Sequence, residues 1–86
     1  MPAYSLTLSR SAEKELTVLD SNLLKRISLK LEQLTITPRP SGCVKLQGKE
    51  DLWRIRIGNY RVIYSVDDAK RVVDISLVRH RKDVYR

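Results

Sequence analysis

The sequence predicts an α+β fold in one small domain: an N-terminal strand, a two-helix antiparallel hairpin, and a three-stranded antiparallel meander forming one small sheet. Three observations predict it. Apolar residues alternate near the N-terminus, recur at helical spacing through the next quarter of the chain, and return to alternation from Leu52 onward. At 86 residues the chain has room for one hydrophobic core, so residues 1–86 read as a single domain.

Tyr4, Leu6 and Leu8 alternate with Ser5 and Thr7, which is the pattern of a short strand with one buried face. Ser9 offers a hydroxyl to cap a helix, and Ala12, Leu16 and Leu19 then follow at helical spacing. Asp20-Ser21-Asn22 interrupts that spacing with turn and capping chemistry before Leu24, Ile27, Leu31 and Leu34 resume it. Pro38 and Pro40 stop the second helix, because proline cannot continue one and excludes helical geometry from the residue before it. A loop is expected to about Lys49. Trp53, Ile55 and Ile57 then alternate with Arg54 and Arg56. Gly58-Asn59 supplies a turn into a strand from Tyr60 to Val66, and residues 67–70 turn the chain into a last strand from Arg71 to His80. By parity Trp53, Tyr60, Val62 and Tyr64 belong to the core, beneath the helices, while the arginines occupy the other sheet face.

Lys and Arg number 17 against 10 Asp and Glu, for a net charge of +7. The excess is uneven: residues 1–44 carry net +2 and residues 45–86 net +5, which places contact with a polyanion in the second half. No segment approaches the roughly 20 apolar residues that cross a bilayer. Cys43 is the only cysteine, so no internal disulfide can form, and Met1-Pro2-Ala3 opens no signal peptide, so a cytoplasmic location is expected. Cys43 has no activating base nearby in sequence and reads as structurally incidental.

Arg54 and Arg56 lie two residues apart on a strand, so both side chains leave one face. Arg61 begins the next strand, and Arg79, His80, Arg81 and Tyr85 lie near the end of the chain. If the meander closes as expected, these positions converge on a surface that could hold phosphate and stabilise charge on a phosphorane. The same alternation also describes the solvated face of an amphipathic strand. His80 is the only imidazole and the one side chain suited to proton exchange at neutral pH, although a lone histidine at a strand end is more often a surface residue. Lys45, Lys49, Lys82 and Arg86 are further candidates for RNA-backbone contact. One His and one Cys without ligand spacing make no metal site, and no Gly-x-Ser-x-Gly turn or Gly-rich phosphate loop occurs, so neither metal nor cofactor is expected.

Leu46-Gln47-Gly48, the run from Leu52 through Trp53-Arg54-Ile55-Arg56-Ile57-Gly58-Asn59-Tyr60-Arg61-Val62-Ile63-Tyr64, and the run from Val78 through Arg79-His80-Arg81-Lys82-Asp83-Val84-Tyr85-Arg86, taken in series, resemble the RelE and ParE toxin superfamily. The resemblance covers nearly the whole chain. It implies a metal-free endoribonuclease that cuts mRNA in the ribosomal A site, held inactive by a RelB-like antitoxin, with operator DNA met only through the antitoxin complex. In RelE-like members, positions matching Arg54, Arg56, Arg61 and Arg79 or Arg81 bind and activate the scissile phosphate, and the tyrosine matching Tyr85 stacks on or orients the codon. The reaction implied is attack by a 2′-hydroxyl on its own 3′ phosphate. Relatives with lysine on the first meander strand can use it as a proton acceptor, whereas Arg54 and Arg56 hold their protons at any physiological pH. His80 or ribosomal groups are then left to help with protons. The sequence ends at Arg86, so the extra C-terminal helix of some relatives is expected to lack a counterpart. A ParE-like gyrase inhibitor that cuts nothing, and an inactive member that only binds antitoxin, are the other readings; the combination of Arg54, Arg61, Arg81 and Tyr85 favours the nuclease.

Overall fold

Ser9 ends the first strand and starts the first helix with one side chain. Its hydroxyl accepts the N–H of Ala12 at 3.0 Å, which caps α1 (Arg10–Thr17), and donates to the carbonyl of Ser76 at 2.7 Å. The structure, a computed structural model, describes residues 4–46, 48 and 51–84. Strand β1 (Ser5–Leu8) precedes α1, and α2 (Ser21–Leu34) follows it, capped by the Asp20 carboxylate on the N–H of Leu23 at 2.9 Å. Helix α2 stops before the proline-rich segment, as its sequence requires.

Five strands form one sheet, with β2 (Val44–Lys45), β3 (Leu52–Ile57), β4 (Tyr60–Asp67) and β5 (Val72–His80) joining β1 in the order β1-β5-β4-β3-β2. The meander of β3, β4 and β5 is antiparallel as expected. Two differences from the sequence reading enlarge it. The N-terminal strand lies parallel to β5, pairing Ser5 with Val72 and Leu8 with Ile75, and the loop after Pro40 contributes a two-residue strand that pairs Val44 with Arg54. Both additions are edge strands: the partner of β1 is remote in sequence, and β2 is only two residues long, too short to show an alternation. A four-residue helix, α3 (Arg81–Val84), also follows β5 where no element was expected.

The core forms between the helices and one sheet face. Ala12 of α1 and Ile27, Leu31 and Leu34 of α2 bury against Ile55, Ile57, Val62, Tyr64, Val66, Val73, Ile75 and Val78. Trp53 and Tyr60 pack against this cluster, on the side their parity predicts. Within β5 the parity changes: Val73 and Ile75 point inward, and so does Val78. A register shift opposite Ile63 and Tyr64, where the pairing passes from Leu77 to Ile75, leaves Ser76 without a cross-strand partner. Ser9 holds that irregularity from the end of β1, through its hydroxyl to the carbonyl of Ser76 and its amide to the carbonyl of Ile75 at 2.9 Å. The irregularity sets which way Arg79 faces.

Candidate RNA-binding face

Cross-strand partners leave a sheet on the same side. Arg56 pairs with Arg61, and Arg61 pairs with Arg79, so three arginines stand in one row across β3, β4 and β5 on the face opposite the buried core. Adjacent strands lie about 4.8 Å apart, so the row spans about 10 Å at its base. Arg54 lies on the same face two positions along β3, in the next row with Ile63 and Leu77. Without the register shift, Leu77 and Arg79 would have the parity of Val73 and Ile75 and would turn into the core.

The four arginines differ in environment. Arg61, in the middle of the row, is 8% exposed, Arg54 and Arg79 are half-buried, and Arg56 is exposed. Arg79 reaches over the end of the sheet to α1, where Nη1 lies 3.6 Å from Glu15 Oε1 and Nη2 donates to Ser11 Oγ at 3.4 Å. Nη1 also donates to the carbonyl of Val78 at 3.3 Å, and Nη2, which carries two hydrogens, keeps one for a further acceptor. Arg54 and Arg56 make no side-chain hydrogen bond or ion pair with the described residues. Like charges directly opposite one another destabilise a sheet, so this row adds repulsion that a bound anion would relieve.

The remaining sequence candidates divide. Arg81 and Lys82 are exposed at the start of α3, and the amide of Arg81 donates to the carbonyl of Asn59 in the β3–β4 turn at 2.6 Å, which places α3 at the same end of the sheet as the row. His80 does not join the arginines. It pairs with Tyr60 and so leaves the sheet on the opposite side from Arg61 and Arg79, its ring edge-on to Tyr60 at 5.2 Å with an interplanar angle of 86°. The expected convergence of His80 with the arginine set is not met, because alternation sends neighbours in a strand to opposite faces. Lys45 is also displaced: it pairs with Trp53, sharing its side rather than that of Arg54, with Nζ 6.0 Å from the Trp53 ring centroid. Lys49, Tyr85 and Arg86 lie outside the described residues.

Two contacts here were not foreseen. Glu15 and Ser11 brace Arg79 from α1, and Arg26 of α2 lies over the β3–β4 turn, with Nη2 3.4 Å from where a Cβ on Gly58 would stand. Gly58 also has a positive φ of 59°, so glycine is favoured there on both counts. Neither contact leaves a trace in local periodicity.

At the far end of the sheet a second polar group of residues satisfies itself. Arg39 donates to both carboxylate oxygens of Asp68, at 2.8 and 3.3 Å, Tyr4 donates its hydroxyl to Asp68 at 2.6 Å, and the Arg39 guanidinium lies 5.3 Å over the Trp53 ring. The hydrogen bond from Arg39, and then that from Tyr4, hold the Asp68 carboxyl below the usual carboxylate range. Nearby, Tyr64 is fully buried and donates to the carbonyl of Pro38 at 2.7 Å; burial, followed by the neighbouring Cys43, pushes its phenol well above its ordinary value. A cavity of about 280 Å³ lined by Gln33, Leu34, Ile36, Thr37, Pro40 and Ser41 contains no titratable side chain and offers no chemistry. Among the described residues, no three His, Cys, Asp or Glu side chains gather as metal ligands would, and no helix is long and apolar enough to cross a membrane.

The family model described as "ParE toxin of type II toxin-antitoxin system, parDE" matches residues 6–85. The chain is 34% identical to the mRNA interferase toxin RelE of Escherichia coli over 96% of its own length and 90% of the relative's. Its structure superposes on the isolated E. coli RelE toxin with a TM-score of 0.81 at 33% identity, covering 96% of this chain and 92% of that one. The toxin of the RelE–RelB complex from Pyrococcus horikoshii gives a TM-score of 0.82 at 31% identity, covering 92% of this chain and 96% of that one. The sheet order, the two helices beneath it and the sequence likeness agree over nearly the full length of each chain, and this protein belongs to the ParE toxin family of type II toxin–antitoxin systems, as a RelE-like toxin.

Proposed function

We propose that this toxin is a ribosome-dependent endoribonuclease that cleaves mRNA in the A site without a metal, and that a RelB-like antitoxin restrains it in the cytoplasm. The observation that carries the reading is the row of Arg56, Arg61 and Arg79 with Arg54 beside it, on the sheet face opposite the buried core. Guanidinium groups in this arrangement can take several oxygens of one phosphate and stabilise the extra charge of a phosphorane. The relatives called mRNA interferase support the same chemistry.

In the proposed reaction the 2′-oxygen of the nucleotide before the cut forms a bond to its own 3′ phosphorus, and the bond from phosphorus to the 5′-oxygen of the next nucleotide breaks. The products are a 2′,3′-cyclic phosphate and a 5′-hydroxyl. The 2′-hydroxyl loses a proton and the 5′-oxygen gains one. Arg56 and Arg61 neutralise the phosphate, and Arg79 or Arg81 faces the leaving oxygen. None of the four sheet arginines can accept the proton, because guanidinium stays protonated at physiological pH. The base is therefore supplied from outside this row, by ribosomal groups in the assembled complex. Tyr85 stacks on or orients the codon, and Lys82 and Arg86 contact the backbone. Operator DNA is met only through the antitoxin complex.

The family model is described as a ParE toxin, so a second reading is kept, inhibition of DNA gyrase without nuclease activity. Primer extension on translating mRNA after brief induction separates the two. Cuts positioned by codon support the nuclease, and gyrase-trapped DNA breaks without mRNA cuts overturn it. Survival of cleavage and growth arrest after loss of both Arg61 and Arg81 would overturn the residue assignment.

A further inference from the structure

We infer that His80 is a positioning residue: its imidazole caps α3 and thereby fixes where Arg81 stands beside the arginine row. The inference rests on the ribonuclease reading above and assigns a different role to the one side chain that sequence alone marks for proton exchange. His80 is the last residue of β5, and α3 begins at Arg81. The first amides of a helix have no partner within it, and the second of them here, Lys82 N–H, donates to His80 Nδ1 at 3.2 Å. That is the bond an N-cap side chain makes.

The ring is held for this task from the other side. Tyr60, the cross-strand partner of His80, meets it edge-on at 5.2 Å. The amide of Arg81 is tied separately to the carbonyl of Asn59 at 2.6 Å. Two consecutive amides are thus anchored, one to the β3–β4 turn and one to the imidazole, directly after Arg79 has taken its place against Arg61. The backbone that carries Arg81 departs from the row in one defined direction.

The same geometry argues against direct chemistry at His80. Its side chain leaves the sheet on the face opposite Arg61 and Arg79, and its Nδ1 lone pair is already engaged by Lys82. An acceptor nitrogen in that bond cannot also take a proton from RNA.

Asparagine separates the two roles. Its Oδ1 stands as many bonds from Cβ as the Nδ1 of histidine does, so His80→Asn keeps the cap and removes the imidazole, whereas His80→Gln carries its oxygen one bond further and His80→Ala removes it. The experiment measures codon-positioned cleavage by the full-length toxin on purified ribosomes programmed with a defined mRNA, over a range of toxin concentrations. It compares the unaltered chain with H80N, H80Q, H80A, R81A and the H80A/R81A pair, with melting curves showing that each variant is folded. H80N is expected to keep its maximal rate within about twofold, and H80A and H80Q to lose roughly fivefold in maximal rate with little change in the concentration giving half of it. The double variant is expected to be no slower than R81A alone, since His80 acts through Arg81. An H80N variant as slow as H80A, unchanged rates in H80A, or additive losses in the double variant would overturn the inference. If the unaltered toxin makes no codon-positioned cuts, the ribonuclease reading itself falls and this role falls with it; faster amide exchange at Lys82 in H80A than in H80N would still report the cap on its own.

Discussion

Arg39, at the end of the sheet where β4 finishes, gives both arms of its fork to Asp68 and lays its plane over Trp53. Arg54 and Arg56, near the end where β4 begins, make no such bonds to the described residues, and Arg56 stands opposite a second arginine that itself faces a third. The two regions are built from the same side chain. In one, a single arginine is matched by a carboxylate and contributes to the fold; in the other, three arginines stand side by side with one carboxylate, Glu15, against Arg79, an arrangement whose repulsion a bound polyanion would relieve. Like charges that folding brings side by side are a stronger pointer to function than the number of basic residues.

The comparison breaks most completely if one residue is inserted between Leu77 and Val78. With the register shift still in place, the insertion sends Val78 outward and Arg79 into the core. Burying an arginine without a partner costs several kcal/mol, about as much as a small domain's whole stability, so the variant is expected to lose its cooperative melting transition in circular dichroism. Retained melting and retained activity would show that strand register does not orient Arg79.

The next effect is on activity. Arg61→Ala is expected to lower mRNA cleavage by about 100-fold in primer extension, the scale of losing one positioned charge-stabilising donor, whereas Arg39→Ala leaves the cleavage rate within about twofold and lowers only the melting temperature. Equal losses of activity in the two variants would erase the distinction between the regions.

Tyr64 sharpens the structural side. Because burial raises its pKa, the folded protein holds the phenolic proton to higher pH than the unfolded chain does; the stabilisation is complete below about pH 10 and is lost as pH rises above it. Tyr64→Phe is expected to cost about 1 kcal/mol at neutral pH, through the lost bond to Pro38, and to flatten the alkaline decline seen in unfolding titrations. The smallest effect returns to the row: Arg56→Thr is expected to raise stability by about 0.5 kcal/mol at low salt through removal of cross-strand repulsion, with the gain shrinking as salt is added.

Much of this was legible in the chain itself. The alternation of Trp53, Ile55 and Ile57 with Arg54 and Arg56 determines that one side of β3 is wet and basic, because strand geometry leaves no other option. Ser9 and Asp20 announce the two helix starts, and Pro38 announces the end of the second, since caps and prolines act within a few residues. The family resemblance rests on the same local runs.

What the sequence by itself could not determine is every relation between distant segments. The parallel seat of β1 on β5 and the brace from Glu15 to Arg79 join residues far apart in the chain. The orientation of Arg79 and the separation of His80 from the arginines were decided by a register shift held by Ser9, some 67 residues away from Ser76. Periodicity is a property of neighbours, whereas register is fixed only when a strand meets its partner and buries a face; that is why composition and pattern named the arginines, and tertiary structure chose which of them stand together.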